Sequence, residues 1–98
     1  MYFSADSMNA GKITTAEDVY KFAETLESMS QQSGATLLAR QLDNAMRLGS
    51  SGLEVLGAIR QVVIGNRTDV ERLLGPEGRS RIDQVVAFVD EAFGRGAV

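Results

Sequence analysis

The chain offers few groups that do chemistry. It contains no histidine and no cysteine. Those absences remove the commonest general base, thiolate nucleophiles and the usual zinc ligands. Ser-His and Cys-His nucleophile pairs are impossible. Carboxylates remain, and Glu24 and Glu27 stand three residues apart. A bridged metal site in a helical bundle wants Glu-x-x-His pairs on inward faces, whereas these two glutamates fall on the polar side of their helix. No two carboxylates share an apolar stripe, where one would be held protonated for acid catalysis. The sequence therefore predicts no enzyme, no metal and no cofactor.

One residue does ask for a role. In "RLGSSGLEVLGAIRQVV", from Arg47 to Val63, Arg60 interrupts an apolar run. At about 100° per residue, Leu56, Ile59 and Val63 form the centre of that helix. Arg60 projects between the Leu56/Val63 row and the Leu53/Ile64 row. Gly57 lies beside Leu53 and Ile64, where a missing side chain admits a close neighbour. Three states of Arg60 are open on sequence grounds. It snorkels along apolar surface to water, it forms a buried pair with a glutamate of the first helix, or it belongs to an apolar interface. Arginine suits the last role because its planar fork recognises carboxylates and carbonyls. The candidate interaction residues are Leu53, Gly57, Arg60 and Ile64, with Leu37 and Leu48 of the preceding helix extending the patch. The function expected is protein binding, either self-association or regulatory or neutralising binding of another protein. The alternative is a bundle that holds a small apolar or amphipathic ligand, with Arg60 meeting an anionic head.

The elements that must position these residues are helical. "TTAED" carries two overlapping capping boxes, Thr14 with Glu17 and Thr15 with Asp18. Val19, Phe22, Ala23, Leu26 and Met29 then form one stripe, ending near Gly34. A second helix spans about 35–48, with Ala35, Leu38, Ala39, Leu42, Ala45 and Met46 on its main stripe and Leu37 and Leu48 on a smaller ridge. Gly49 reads as a left-handed stop, and Ser51 with Glu54 as the next start. A third helix covers about 52–65. Thr68 with Glu71 marks a short helical turn at 69–74. Pro76 fits the first turn of a last helix running to about Phe93. Its stripe is Ile82, Val85, Val86, Val89, Ala92 and Phe93, with Arg79, Asp83 and Asp90 elsewhere. "VVAFV" favours strand by composition, but the 3.6-residue spacing decides for helix. Most serines read as caps and linkers.

The predicted fold is all-α, a small antiparallel bundle of four main helices plus one short helical turn. Residues 14–94 form the single domain, 1–13 a mobile arm and 95–98 a frayed end. Tyr2 and Phe3 put two aromatics in that arm. Ninety-eight residues suffice for one core. The net charge is −3. Arg60, Arg67, Arg72, Arg79 and Arg81 lean to one segment, but Asp69, Glu71, Glu77 and Asp83 cancel their field, which argues against nucleic acid. No apolar run reaches the length of a membrane span, and the start resembles no signal peptide. A cysteine-free chain suits the cytoplasm. The partners expected are a second copy or another protein.

Overall fold

The computed structural model describes residues 12–49 and 51–96, with the backbone alone at 48, 95 and 96. Five α-helices follow one another: α1 (Ala16–Gln32), α2 (Thr36–Leu48), α3 (Gly52–Gly65), α4 (Arg67–Leu74) and α5 (Gly78–Gly96). A 3₁₀ turn, Gly75–Glu77, joins α4 to α5. No strand occurs among the described residues. The helices pack as a small antiparallel all-α bundle, with α3 in contact with all four others.

Of the two capping boxes at the start of α1, the structure uses Thr15 with Asp18. Thr15 Oγ1 accepts from the Asp18 amide at 3.1 Å. Asp18 Oδ2 accepts from the Thr15 amide at 3.0 Å, and also from the Thr14 amide and hydroxyl at 2.9 and 3.0 Å. Thr14 thus becomes a donor to the box rather than the cap of a second one. The Thr14 amide, then its hydroxyl, hold the Asp18 carboxyl below the usual carboxylate range, and Thr15 adds to this against a small desolvation. A depressed folded-state pKa stabilises the fold above the unfolded value and loses that contribution as pH falls through the folded one. Urea melts taken from neutral pH down through the carboxylate range should show a smaller acid loss for Asp18→Asn than for the unaltered chain.

The inward stripe of α1 is as the periodicity predicts: Val19, Phe22, Ala23 and Leu26 are buried. Ser30 is the exception to the reading of serines as caps. It is fully buried inside the helix, and its hydroxyl donates to the Leu26 carbonyl at 2.7 Å. That bond satisfies a polar group that would otherwise be costly to bury. Gly34, at φ +86°, closes the helix. The Ala35 amide reaches back to the Ser30 carbonyl and the Gly34 amide to the Gln31 carbonyl, the paired bonds of a Schellman ending.

The α2–α3 connection corrects one expectation. Gly49 is extended, at φ −75° and ψ 141°, and not left-handed. Its small size matters for another reason. A Cβ at this position would lie 2.7 Å from Val55 Cγ2 and 2.8 Å from the Val55 amide nitrogen. The glycine lets the chain pass close over the first turn of α3. Ser51 caps that turn as predicted, accepting from the Glu54 amide at 3.2 Å. Ser51→Ala should lower the unfolding free energy by about 0.5–2 kcal/mol in denaturant melts.

The Thr68–Glu71 box does not form, because α4 starts earlier, at Arg67. Only Asn66 separates it from α3. The Asn66 side chain does not cap α4. It donates to Gln41 Oε1 of α2 and to the Val62 carbonyl, each at 2.8 Å, and so pins the joint to α2. Glu71 turns to Arg67 instead. Pro76 lies in the 3₁₀ turn, two residues before α5 and not in its first turn as expected. Gly75 there takes φ +81°, a conformation that favours glycine. Along α5, Ile82, Val85 and Val89 are fully buried, so "VVAFV" is helix with its valines in the core.

Residues 1–11, including Tyr2 and Phe3, lie outside the described set. Ile13, assigned to the arm by sequence, is half-buried against the core. Its amide donates to Gln84 Oε1 of α5 at 3.0 Å.

Candidate interaction face

Leu53, Gly57, Arg60 and Ile64 stand at successive one-turn steps along α3, so they share one side of it. The helix is set in place by the Ser51 cap at one end and the Asn66–Gln41 bond at the other. The adjacent side, roughly 100° round the helix, carries Leu56, Ile59 and Val63, which are buried in the core. The row is therefore the part of α3 that the core does not claim outright.

What covers the row is the end of α5. The Phe93 ring sits directly over Gly57: a Cβ there would lie 2.7 Å from Cζ and 3.0 Å from Cε2. Three residues back along α5, Asp90 meets Arg60. The Arg60 Nε is 2.8 Å from Asp90 Oδ1. That nitrogen is buried, yet its N–H has no aligned acceptor. The aligned bond runs from Nη2 to Oδ2, at 3.5 Å. The short contact is thus a coulombic ion pair with poor hydrogen-bond geometry.

Arg60 therefore does pair within the chain, but not with a glutamate of α1. Nor is the pair buried: the Arg60 side chain is 29% exposed and the Asp90 side chain 53%. Phe93 keeps 39% exposure although its ring rests on Gly57, and Ile64 has the same value. Leu53 is half-buried against the core. The row is covered in its middle and open at the Ile64 end.

Of the two candidate residues of α2, Leu37 has a described side chain. Leu37 is 63% exposed on α2. The Leu48 side chain lies outside the described set. Asp90 and Phe93 are the residues that sequence reasoning left out. A signal existed: their i,i+3 spacing matches the Gly57–Arg60 spacing on α3. Periodicity by itself sets Asp90 off the apolar stripe of the helix and Phe93 on it.

The basic residues of the α4–α5 segment pair as their interleaved carboxylates suggest. Arg67 Nε meets Glu71 at 2.9 Å and its Nη2 meets Asp83 at 2.8 Å. Asp83 first, then Glu71, push the Arg67 guanidinium further above its ordinary value, against a partial desolvation. Arg72 pairs with Asp69. A shallow open groove of about 530 Å³ lies along the start of α5, lined by Pro76, Arg79, Ser80, Asp83, Gln84 and Ala87. It shares no residue with the Arg60 row. Glu24 is exposed, and Glu27 accepts from Gln31 Nε2 at 3.4 Å. No group of three acidic, histidine or cysteine side chains is gathered as a metal site among the described residues. Among them, too, no helix is long and apolar enough to cross a membrane.

The chain matches no family model, no curated protein and no solved structure.

Proposed function

We propose that this chain is a non-enzymatic protein-interaction module. It binds a second copy of itself or another protein through the α3 row of Leu53, Gly57, Arg60 and Ile64. The observation that supports this is the half-covered state of the row. An apolar helix face with an arginine in it is covered by a partly exposed ion pair and a ring that stays 39% exposed. Interfaces are enriched in aromatic residues and arginine. The mild acidity of the chain suits a basic partner, and its lack of cysteine suits a reducing cytoplasm, where we place it.

The test compares the unaltered chain with Ile64→Asp, which charges the open end of the row without touching the core. Sedimentation equilibrium reads self-association, and affinity capture from the source cells reads other partners. Association that weakens at least about tenfold in the variant, as at a moderate hot spot, is the expected result. A monomer that captures the same proteins with and without the substitution overturns the proposal. The alternative is a small apolar or amphipathic ligand held by the bundle, and native mass spectrometry of the purified chain would expose such a co-purifying molecule.

A further inference from the structure

We infer that Gly57 and Arg60 form a two-point socket for a helical protein segment carrying a carboxylate and an aromatic ring three residues apart, and that the end of α5 is its internal competitor. This rests on the reading of the α3 row as a binding face and names what that face takes.

The socket is defined by its present occupant. Gly57 leaves a notch that no other residue would leave, because a Cβ would collide with the Phe93 ring at 2.7 Å. Arg60, one turn further on, supplies a planar cation that meets Asp90. Shape and charge thus select a ring and a carboxylate at i,i+3 spacing on one helix face. The occupant fits imperfectly. The buried Arg60 Nε–H has no aligned acceptor, and Phe93 remains 39% exposed. A partner carboxylate that lines up with Nε–H and a ring that is covered on its outer side both improve on it.

The end of α5 is also the part most readily exchanged. Val89 is the last fully buried residue among the described side chains of the helix. Beyond it Asp90, Glu91, Phe93 and Gly94 are exposed and Ala92 is half-buried. Unwinding these turns leaves Ile82, Val85 and Val89 in the core. A partner helix then competes with a tethered segment, and its apparent affinity is reduced by the fraction of time the socket is filled.

The probe is a fluorescein-labelled peptide with the sequence of residues 85–96, titrated by fluorescence anisotropy. Phe93→Ala empties the notch in the protein, and Asp90→Asn is a second opened variant should the first fold poorly by circular dichroism. The peptide should bind the opened proteins about tenfold more tightly than the unaltered chain, because the competitor is weakened. Adding Gly57→Ala to the Phe93→Ala protein fills the notch and should weaken binding about fivefold while helix content is retained. A peptide with the Asp and Phe positions changed to Asn and Ala should not bind. Equal binding to unaltered and opened proteins, or binding indifferent to Gly57→Ala, overturns the socket. A protein captured by the unaltered chain and lost with Ile64→Asp, alongside a peptide that fails to bind, overturns the socket alone and leaves the interaction face standing.

Discussion

Ile59→Ala should lower the unfolding free energy by about 2–5 kcal/mol and the Tm by about 10 °C or more. Ile59 is fully buried at the centre of α3, between Leu56 and Val63 on the same face. That helix contacts every other α-helix of the bundle, so no single neighbour can relax into the space. Removing the branched side chain therefore costs both its transfer free energy and a cavity. Ile64→Ala, on the same helix but 39% exposed, supplies the internal comparison. It should cost about 1 kcal/mol or less, since much of its surface already meets water. Urea unfolding of the two variants side by side checks the assignment of the faces of α3. Similar losses at both positions would mean that the helix is rotated from the orientation described.

Gly49→Ala should destabilise by about 1–3 kcal/mol, although its backbone angles suit alanine well. The new methyl would meet Val55 Cγ2 at 2.7 Å, the Val55 amide nitrogen at 2.8 Å and the Glu54 carbonyl carbon at 3.2 Å. Two of these are backbone atoms inside the first turn of α3, and they cannot step aside without moving the helix start. The loss of unfolded-chain entropy returns about 0.4–1 kcal/mol, which is too little to reverse the sign. Gly57→Ala makes the contrast. Its Cβ meets only the Phe93 ring, the far end of a partly exposed side chain that can swing away. That substitution should change the unfolding free energy by less than about 1 kcal/mol. Thermal melts of both alanine variants distinguish a backbone clash from a side-chain clash. A Gly49→Ala protein as stable as the parent would remove the close approach of the connection to α3.

The longer helices were legible in the sequence because each carries a 3.6-residue apolar stripe, and the starts of α1 and α3 follow capping chemistry that the sequence displays. Ser51 and Thr15 cap where their spacing to Glu54 and Asp18 says they should. The misses arise where a local signal competes with a contact made far away in the chain. Asn66 forgoes capping α4 for a bond to Gln41, and Thr68 consequently falls inside the helix. Gly49 looks like a helix stop by its position, but its smallness is required by Val55 across the connection. Ser30 looks like a linker residue, but it spends its hydroxyl on the Leu26 carbonyl and enters the core. The oddity of Arg60 was visible in the sequence. Its partner was not, because Asp90 is distant in the chain and only the packing of α5 on α3 brings the two together. Periodicity places a residue on a face, and it is silent on which helix comes to cover that face.

Arg60 belongs to a half-covered surface rather than to the core. The direct measurement is a double-mutant cycle in urea on Arg60→Met and Asp90→Asn, singly and together. Methionine keeps the apolar stem of the arginine, and asparagine keeps the shape of the aspartate, so the cycle isolates the charge pairing. With the two side chains 29% and 53% exposed, the predicted coupling is about 0.2–1 kcal/mol, and each single variant remains folded. A coupling of about 3 kcal/mol or more, with severe destabilisation by Arg60→Met alone, would mark a buried structural pair and contradict the account.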